Sequence, residues 1–178
     1  MMTSFAENIK PILEAVIEIN PKRVLDIGAG FGKYGVLIRE ALMSNRAGKG
    51  DLIPVDDIFI ECMETSRYFY DRRMLHDIYN NCILTDARTF TFLDGDKWDI
   101  VLLIDVVEHM SKEDGIALIK KFKDNGSKVL ISTPKDVYFY KEDYYGKDCP
   151  KHVSQWNRED FGEFILDKST EQSHIFIV

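Results

Sequence analysis

The stretch Arg23-Val24-Leu25-Asp26-Ile27-Gly28-Ala29-Gly30-Phe31-Gly32-Lys33-Tyr34-Gly35 limits this chain to few folds. Val24, Leu25 and Ile27 form a short apolar run of the kind that fills a strand buried on both faces. Three glycines at alternate positions follow, where backbone can turn and approach a ligand with no Cβ in the way. From Lys33 the residues Tyr34, Leu37, Ile38, Ala41 and Leu42 recur three and four apart, the period of a helix. Strand, glycine turn and helix make the opening unit of a doubly wound parallel sheet, whose ligand sits at the carboxyl ends of the strands.

Two ligand classes fit such a turn. Gly30-Phe31-Gly32-Lys33-Tyr34-Gly35 matches the dinucleotide fingerprint G-x-G-x-x-G. Asp26 counts against that ligand, because a carboxylate just ahead of the turn repels a diphosphate and attracts an ammonium or sulfonium group. Read from Asp26, the pattern becomes D-x-G-x-G-x-G. Here the chain resembles the class I S-adenosylmethionine-dependent methyltransferases, whose opening motif is similar to Val24–Gly32. The resemblance implies that Asp26 and the backbone of Gly28, Ala29, Gly30 and Gly32 hold the methionine part of S-adenosyl-L-methionine, with S-adenosyl-L-homocysteine as product. A nicotinamide-dependent oxidoreductase and a non-catalytic S-adenosylmethionine-binding domain are the competing readings.

At 178 residues the chain suits one domain, with a six- or seven-stranded α/β core. The expected unit is a single methyltransferase domain over 1–178, with an N-terminal helix in 1–20 and a substrate lid loop over 135–157. A net charge of −7 removes the non-specific attraction to nucleic acid or an anionic membrane that a basic chain would have. Cys62, Cys82 and Cys149 are odd in number and lack C-x-x-C spacing, which fits reduced thiols in the cytoplasm. The first residues lack the basic start and apolar core of a signal peptide, and no apolar run reaches the roughly 20 residues of a membrane span.

Along the chain, Ser4-Phe5-Ala6-Glu7 reads as a capping box ahead of a helix with Phe5, Ile9, Ile12, Leu13 and Val16 on one face, stopped at Asn20-Pro21. That helix either helps to cover the cofactor or only plugs a sheet edge. Residues 45–54 are a glycine- and charge-rich loop. Ile58–Met63 is the second strand, and Glu64 at its tip is preferred over Glu61 as the carboxylate that accepts both ribose hydroxyls. The span from Asp26 to Glu64 is about twice the roughly 20 residues of a compact nucleotide-binding unit, an excess that the loop absorbs. A helix with Tyr68, Phe69, Arg72, Arg73 and Leu75 leads to a third strand, Asn81–Thr85. In the resembled family, the acid after this strand is similar to Asp86, which would accept from the adenine amine while the Ala87 N–H meets a ring nitrogen. Asp86 could equally cap a turn.

Trp98–Ile104 is the most apolar run and the fourth strand. Asp105-Val106-Val107-Glu108-His109-Met110 after it resembles the family's D-V-x-E-H-x segment, so Asp105 and Val106 would border the transferable methyl group. Glu108 and His109 are expected to hold the loop by local hydrogen bonds. No ligand spacing joins Asp105, Glu108, His109 and His152, and no metal is expected. Ser111–Asp114 caps a helix with Ile116, Ile119 and Phe122 inward, ended by Asn125-Gly126, and Lys128–Thr133 is a fifth strand stopped by Pro134.

The long loop that follows carries Tyr138, Tyr140, Tyr144 and Tyr145, rings suited to stacking on a substrate or facing a sulfonium. It ends in His152-Val153-Ser154-Gln155-Trp156, with Asn157 capping a helix through Phe161 and Phe164. Asp105 and His152 are the expected catalytic residues, His152 as first candidate base and Tyr144 or Tyr145 next. Ile165–Asp167 and His174–Val178 are closing strands, the last antiparallel, so that the sheet has seven strands with helices on both faces. Methyl transfer to an O or N atom of a small-molecule or sugar-like acceptor is the expected reaction. Nucleic acid is not an expected partner, and a homodimer could complete the lid.

Overall fold

A computed structural model describes residues 4–48, 57–71, 73–136 and 151–178. Its strands are β1 Arg23–Ile27, β2 Phe59–Glu64, β3 Asn81–Leu84, β4 Ile100–Ile104, β5 Lys128–Pro134, β6 Leu166–Asp167 and β7 Ser173–Ile177. They form one seven-stranded sheet in the order β3-β2-β1-β4-β5-β7-β6. All pairings from β3 to β5 are parallel; β7 runs antiparallel to both β5 and β6. The strand order reverses between β2-β1 and β4, and such a switch point opens a crevice at the carboxyl ends of the strands.

Successive side chains of the central strands serve opposite faces. Val24 packs with Ile60, Ile100 and Leu102 under α1 Ile9–Ile19, α2 Lys33–Ala47 and the short helix pair α3 Arg67–Tyr70 and α4 Arg73–Ile78. Leu25 and Ile27 pack with Val101 and Leu103 under α5 Lys112–Asp124 and the segment around Trp156 and Phe161. A strand apolar on both sides must lie inside two helical layers, as the run Val24–Ile27 implies. Among the described residues, no helix is long and apolar enough to cross a membrane.

Three local expectations give way to packing. Ser4 does not close a capping box. Its hydroxyl pairs with Tyr34 Oη at 2.8 Å and accepts from Lys33 Nζ at 3.2 Å, and α1 begins with a 3-10 turn over Ala6–Asn8. The buried side of α5 is Gly115, Leu118 and Phe122, while Ile116 is exposed, because the Trp156 ring takes the space above Gly115 and sets the helix rotation. The helix expected after Asn157 is a single 3-10 turn, Arg158–Phe161, ended by Gly162 at φ 64°, although the Asn157–Asp160 capping box does form. Asn20 ends α1 in the left-handed conformation (φ 52°) and Ser111 Oγ accepts from Asp114 N at 3.1 Å, both as the sequence implies.

The chain leaves β5 at Lys135, and Gln155 Nε2 donates to the Lys135 carbonyl at 2.9 Å. Tyr138, Tyr140, Tyr144, Tyr145 and Cys149, with most of the expected lid, lie outside the described residues.

Candidate functional site

The glycine turn is built by backbone conformations that side chains disfavour. Gly28, Gly30 and Gly32 have φ of 73°, 55° and 81°. Gly28 N donates to Met63 O at 2.8 Å and Gly32 N to Ala29 O at 2.9 Å, which ties the turn to β2 and closes it on itself. A Cβ on Gly28 would lie 2.8 Å from Val106 Cγ2, so the turn also rests directly on the chain leaving β4. A Cβ on Gly30 would meet nothing within 4 Å. That face is open to a ligand.

Glu64 supports the turn from below. It is 5% exposed, its Oε2 accepts from Gly30 N at 3.0 Å and its Oε1 from Ser66 N at 2.8 Å. Each carboxylate oxygen keeps a second lone pair for an incoming hydroxyl. Glu61, the other acid of β2, is engaged elsewhere: it accepts from Trp98 Nε1 at 2.7 Å and from Arg23 Nη2 and Asn81 Nδ2 at 3.1 Å.

Asp26 lies beneath the turn, 3% exposed, and accepts a 2.5 Å hydrogen bond from Tyr79 Oη. Burial pushes its carboxyl up to about 7, against the pull of the Tyr79 hydroxyl and with the Glu64 charge adding to the rise. Sequence reasoning missed Tyr79. Its ring would lie 2.5 Å from a Cβ on Gly35, and a glycine inside a helix, costing about 1 kcal/mol against alanine, was the available sign of a close neighbour.

At the end of β4, Asp105 adopts φ 53°, a left-handed conformation that Asp tolerates better than most residues, while its N–H still bonds Ser132 O at 2.8 Å. Asp105 Oδ1 is buried with no hydrogen-bond partner among the described residues. Burial raises the Asp105 carboxyl well above the usual range, and the Lys33 ammonium partly offsets this. Lys33 in turn reaches back to Ser4 O at 3.2 Å, so the N-terminal segment touches the mouth of the site while Asn8, through Ser173 Oγ at 2.8 Å, fastens it to β7.

The 3-10 turn Val107–His109 carries Glu108 inward. Glu108 is fully buried; its Oε2 accepts from Thr133 Oγ1 at 3.2 Å and its Oε1 has no partner among the described residues. Burial raises its carboxyl, and the Asp105 charge adds to that. Val153 N and Ser154 N both donate to the Glu108 carbonyl, at 2.8 and 3.2 Å. These bonds bring His152 against His109, ring centroids 4.8 Å apart. His109 Nδ1 faces the Lys151 carbonyl at 3.2 Å, and a carbonyl only accepts, so the proton is on Nδ1 and the lone pair on Nε2. His152 Nδ1 is buried without a partner among the described residues. Burial and the neighbouring His109 hold the His152 imidazole down at about 4, neutral at pH 7.

Asp86 and Ala87 stand apart, at the end of β3. The Asp86 carboxylate is gripped by Arg88, with Nη2 to Oδ2 at 2.6 Å and Nε to Oδ1 at 3.0 Å, and the Arg88 N–H to Oδ1 at 2.9 Å closes a turn. The Arg88 hydrogen bonds hold that carboxyl below its ordinary range despite partial burial. Ala87 is buried in the core. The Arg88 clamp, absent from the sequence reading, was legible only as an Asp-x-Arg spacing common on surfaces.

No family model matches this sequence, and neither does any curated protein. Solved structures do match in shape. A magnesium protoporphyrin IX methyltransferase (ChlM) from Synechocystis PCC 6803 with bound SAM aligns over 96% of this chain and 77% of its own, with TM-score 0.62 and 14% identity. The fold is that of the class I methyltransferases. The N-terminal domain of EvdMO1, solved in the presence of SAH and D-fucose, aligns over 98% of this chain and 82% of its own (TM-score 0.60, 14% identity). An S-adenosylmethionine-dependent methyltransferase from Clostridium acetobutylicum ATCC 824 aligns over 98% and 91% (TM-score 0.59, 10% identity). On this methyltransferase fold, Asp26, the glycine turn and Glu64 form one connected cradle at the switch point. Asp105, Val106, Glu108, His109 and His152 form its neighbour at the end of β4.

Proposed function

We propose that this chain is an S-adenosyl-L-methionine-dependent methyltransferase that moves a methyl group to an oxygen or nitrogen of a small-molecule or sugar-like acceptor. The observation that carries the reading is the acidic lining of the cradle: the buried carboxyls of Asp26 and Glu64 lie beneath a glycine turn whose Gly30 face is open, Asp105 ends the adjacent strand β4, and the raised Asp26 and Asp105 carboxyls ionise more readily beside a bound cation. Such a site repels a diphosphate and suits an ammonium or sulfonium ligand. The fold and the S-adenosyl ligands of its structural neighbours support the same reading.

The donor supplies an already activated methyl group, so the chain mainly positions and desolvates. Asp26 and the backbone of Gly28, Ala29, Gly30 and Gly32 hold the methionine part. Glu64, oriented by the Gly30 and Ser66 amides, accepts the ribose hydroxyls through its remaining lone pairs. Asp86 and Ala87 border the adenine, Asp86 sharing its carboxylate with Arg88. Val106 packs on Gly28 and fixes the distance between donor and acceptor ends. At the acceptor end, Asp105 Oδ1, Glu108 Oε1 and His152 Nδ1 are unpartnered among the described residues and able to take a proton. The acidic net charge favours a small acceptor over a nucleic acid, and the reduced Cys62 and Cys82 suit the cytoplasm.

Calorimetry and thermal unfolding with S-adenosylhomocysteine and with NADH test the reading. A ligand at 100 times its Kd adds about 2.7 kcal/mol to stability. Stabilisation by S-adenosylhomocysteine is expected; stabilisation by NADH alone overturns the assignment.

A further inference from the structure

Beside the cofactor cradle lies a group of side chains that the cofactor reading does not use. One ligand-capable atom each from Glu108, His109 and His152 lie within 4.8 Å of one another. Their remaining contacts leave one such atom available on each. Thr133 holds one oxygen of Glu108 and leaves Oε1 bare, the Lys151 carbonyl fixes His109 with its Nε2 lone pair free, and His152 Nδ1 is buried with no partner among the described residues. A fully buried carboxylate with an unsatisfied oxygen costs several kcal/mol unless something meets it. Two imidazoles lie close by, and each can present a ring-nitrogen lone pair.

We propose that Glu108, His109 and His152 bind one divalent transition-metal cation, which holds an acceptor oxygen at the methyl end of the site. Two imidazoles and one carboxylate are the donor set of catalytic ions that keep positions open for water or substrate. The Lys151 and Thr133 contacts supply the outer hydrogen bonds that orient such ligands. Bonds of about 2.1 Å place two donor atoms on one ion no more than ~4.2 Å apart, so side-chain rotation of under an ångström closes the set. An ion here acidifies a bound hydroxyl. The O–H bond breaks, the electron pair stays on the metal-bound oxygen and the proton passes to Asp105 Oδ1, His152 being committed to the ion. This narrows the acceptor atom to oxygen. The oxygen-holding role rests on the methyltransferase reading; the ion site does not.

The test uses chelator-stripped full-length protein titrated with cobalt(II) chloride, followed by visible absorption and equilibrium dialysis. The wild type is expected to bind one equivalent with a low-symmetry cobalt spectrum. His109→Gln, His152→Gln and Glu108→Gln each weaken binding by roughly tenfold or more, whereas His76→Gln, outside the group, binds as the wild type does. Circular dichroism confirms folding, and three single variants keep the test open if one fails to fold. No bound equivalent at millimolar cobalt, or binding that all three folded variants retain, overturns the site. Titration with S-adenosylhomocysteine is run separately on the wild type, so a failed cofactor reading is seen apart from a failed ion site.

Discussion

Tyr79 Oη donates a 2.5 Å hydrogen bond to Asp26 Oδ2, joining the residue after α4 to the penultimate residue of β1 across 53 positions of sequence. The pair fixes one of the two acids that lie beneath the glycine turn. Tyr79→Phe removes the donor and leaves a buried oxygen unsatisfied, so unfolding in urea is expected to show a loss of about 1–3 kcal/mol. An unchanged midpoint would show that the bond contributes nothing.

The same acid makes stability depend on pH in an uncommon direction. Its proton leaves near 3.8 in the unfolded chain and near 7 in the folded one. Between those values the native state binds more protons, so this group's contribution falls as pH rises and levels off above about 7. Relative to Asp26→Asn, the wild type should lose up to about 1.4 kcal/mol per pH unit within that window, read from denaturation midpoints. A cation bound beside Asp26 pulls its value down. S-adenosylmethionine binding at about pH 6 should therefore release protons, visible in calorimetry as a dependence on buffer ionisation heat.

Gly28 is held at φ 73° with Val106 Cγ2 where its Cβ would go. Gly28→Ala is expected to cost about 1–3 kcal/mol in backbone strain and to weaken S-adenosylhomocysteine binding, since the turn and the chain leaving β4 move apart. Gly30→Ala, with open space in place of Val106, separates steric from conformational effects: it should disturb Val106 less and yet block the open face. Equal Kd values for Gly28→Ala and the wild type would remove the turn from the cofactor site.

The two acids of β2 should part company on mutation. Glu64→Ala is expected to weaken cofactor binding strongly, because its oxygens orient the turn through Gly30 and, in the proposed reading, accept the ribose hydroxyls. Glu61→Ala instead strands the Trp98 indole N–H and the Arg23 guanidinium, so its cost appears in stability, about 1–3 kcal/mol, with binding little changed. Titration calorimetry beside urea denaturation distinguishes them; equal losses of affinity would show that the strand end is wrongly placed.

What the sequence made legible is what local pattern controls. Apolar runs located β1, β2, β4 and β5 because both faces of these strands are largely buried, while the half-buried edge strand β3 carries a shorter run, and Asp26, Glu64 and Asp105 could be placed because each sits at or beside the end of a buried run. The capping box at Ser4 failed because a short polar side chain has competing partners, and Tyr34 and Lys33 of α2 won. The inward face of α5 was misread at Ile116 because helix rotation was set by Trp156, a residue that periodicity within α5 cannot see. The proximity of His152 to Glu108 was hidden for the same reason. It depends on two amides from Val153 and Ser154 reaching the carbonyl of a residue far back in the chain.

Gln155 donating to the Lys135 carbonyl has an evolutionary consequence. A connection whose two feet are clasped can be swapped for a longer, shorter or differently furnished one at small entropic cost, while the sheet beneath keeps its shape. If the proposed methyl transfer holds, choice of acceptor and grip on the donor could diverge independently, the first by replacing that connection and the second by leaving β1 and β2 untouched.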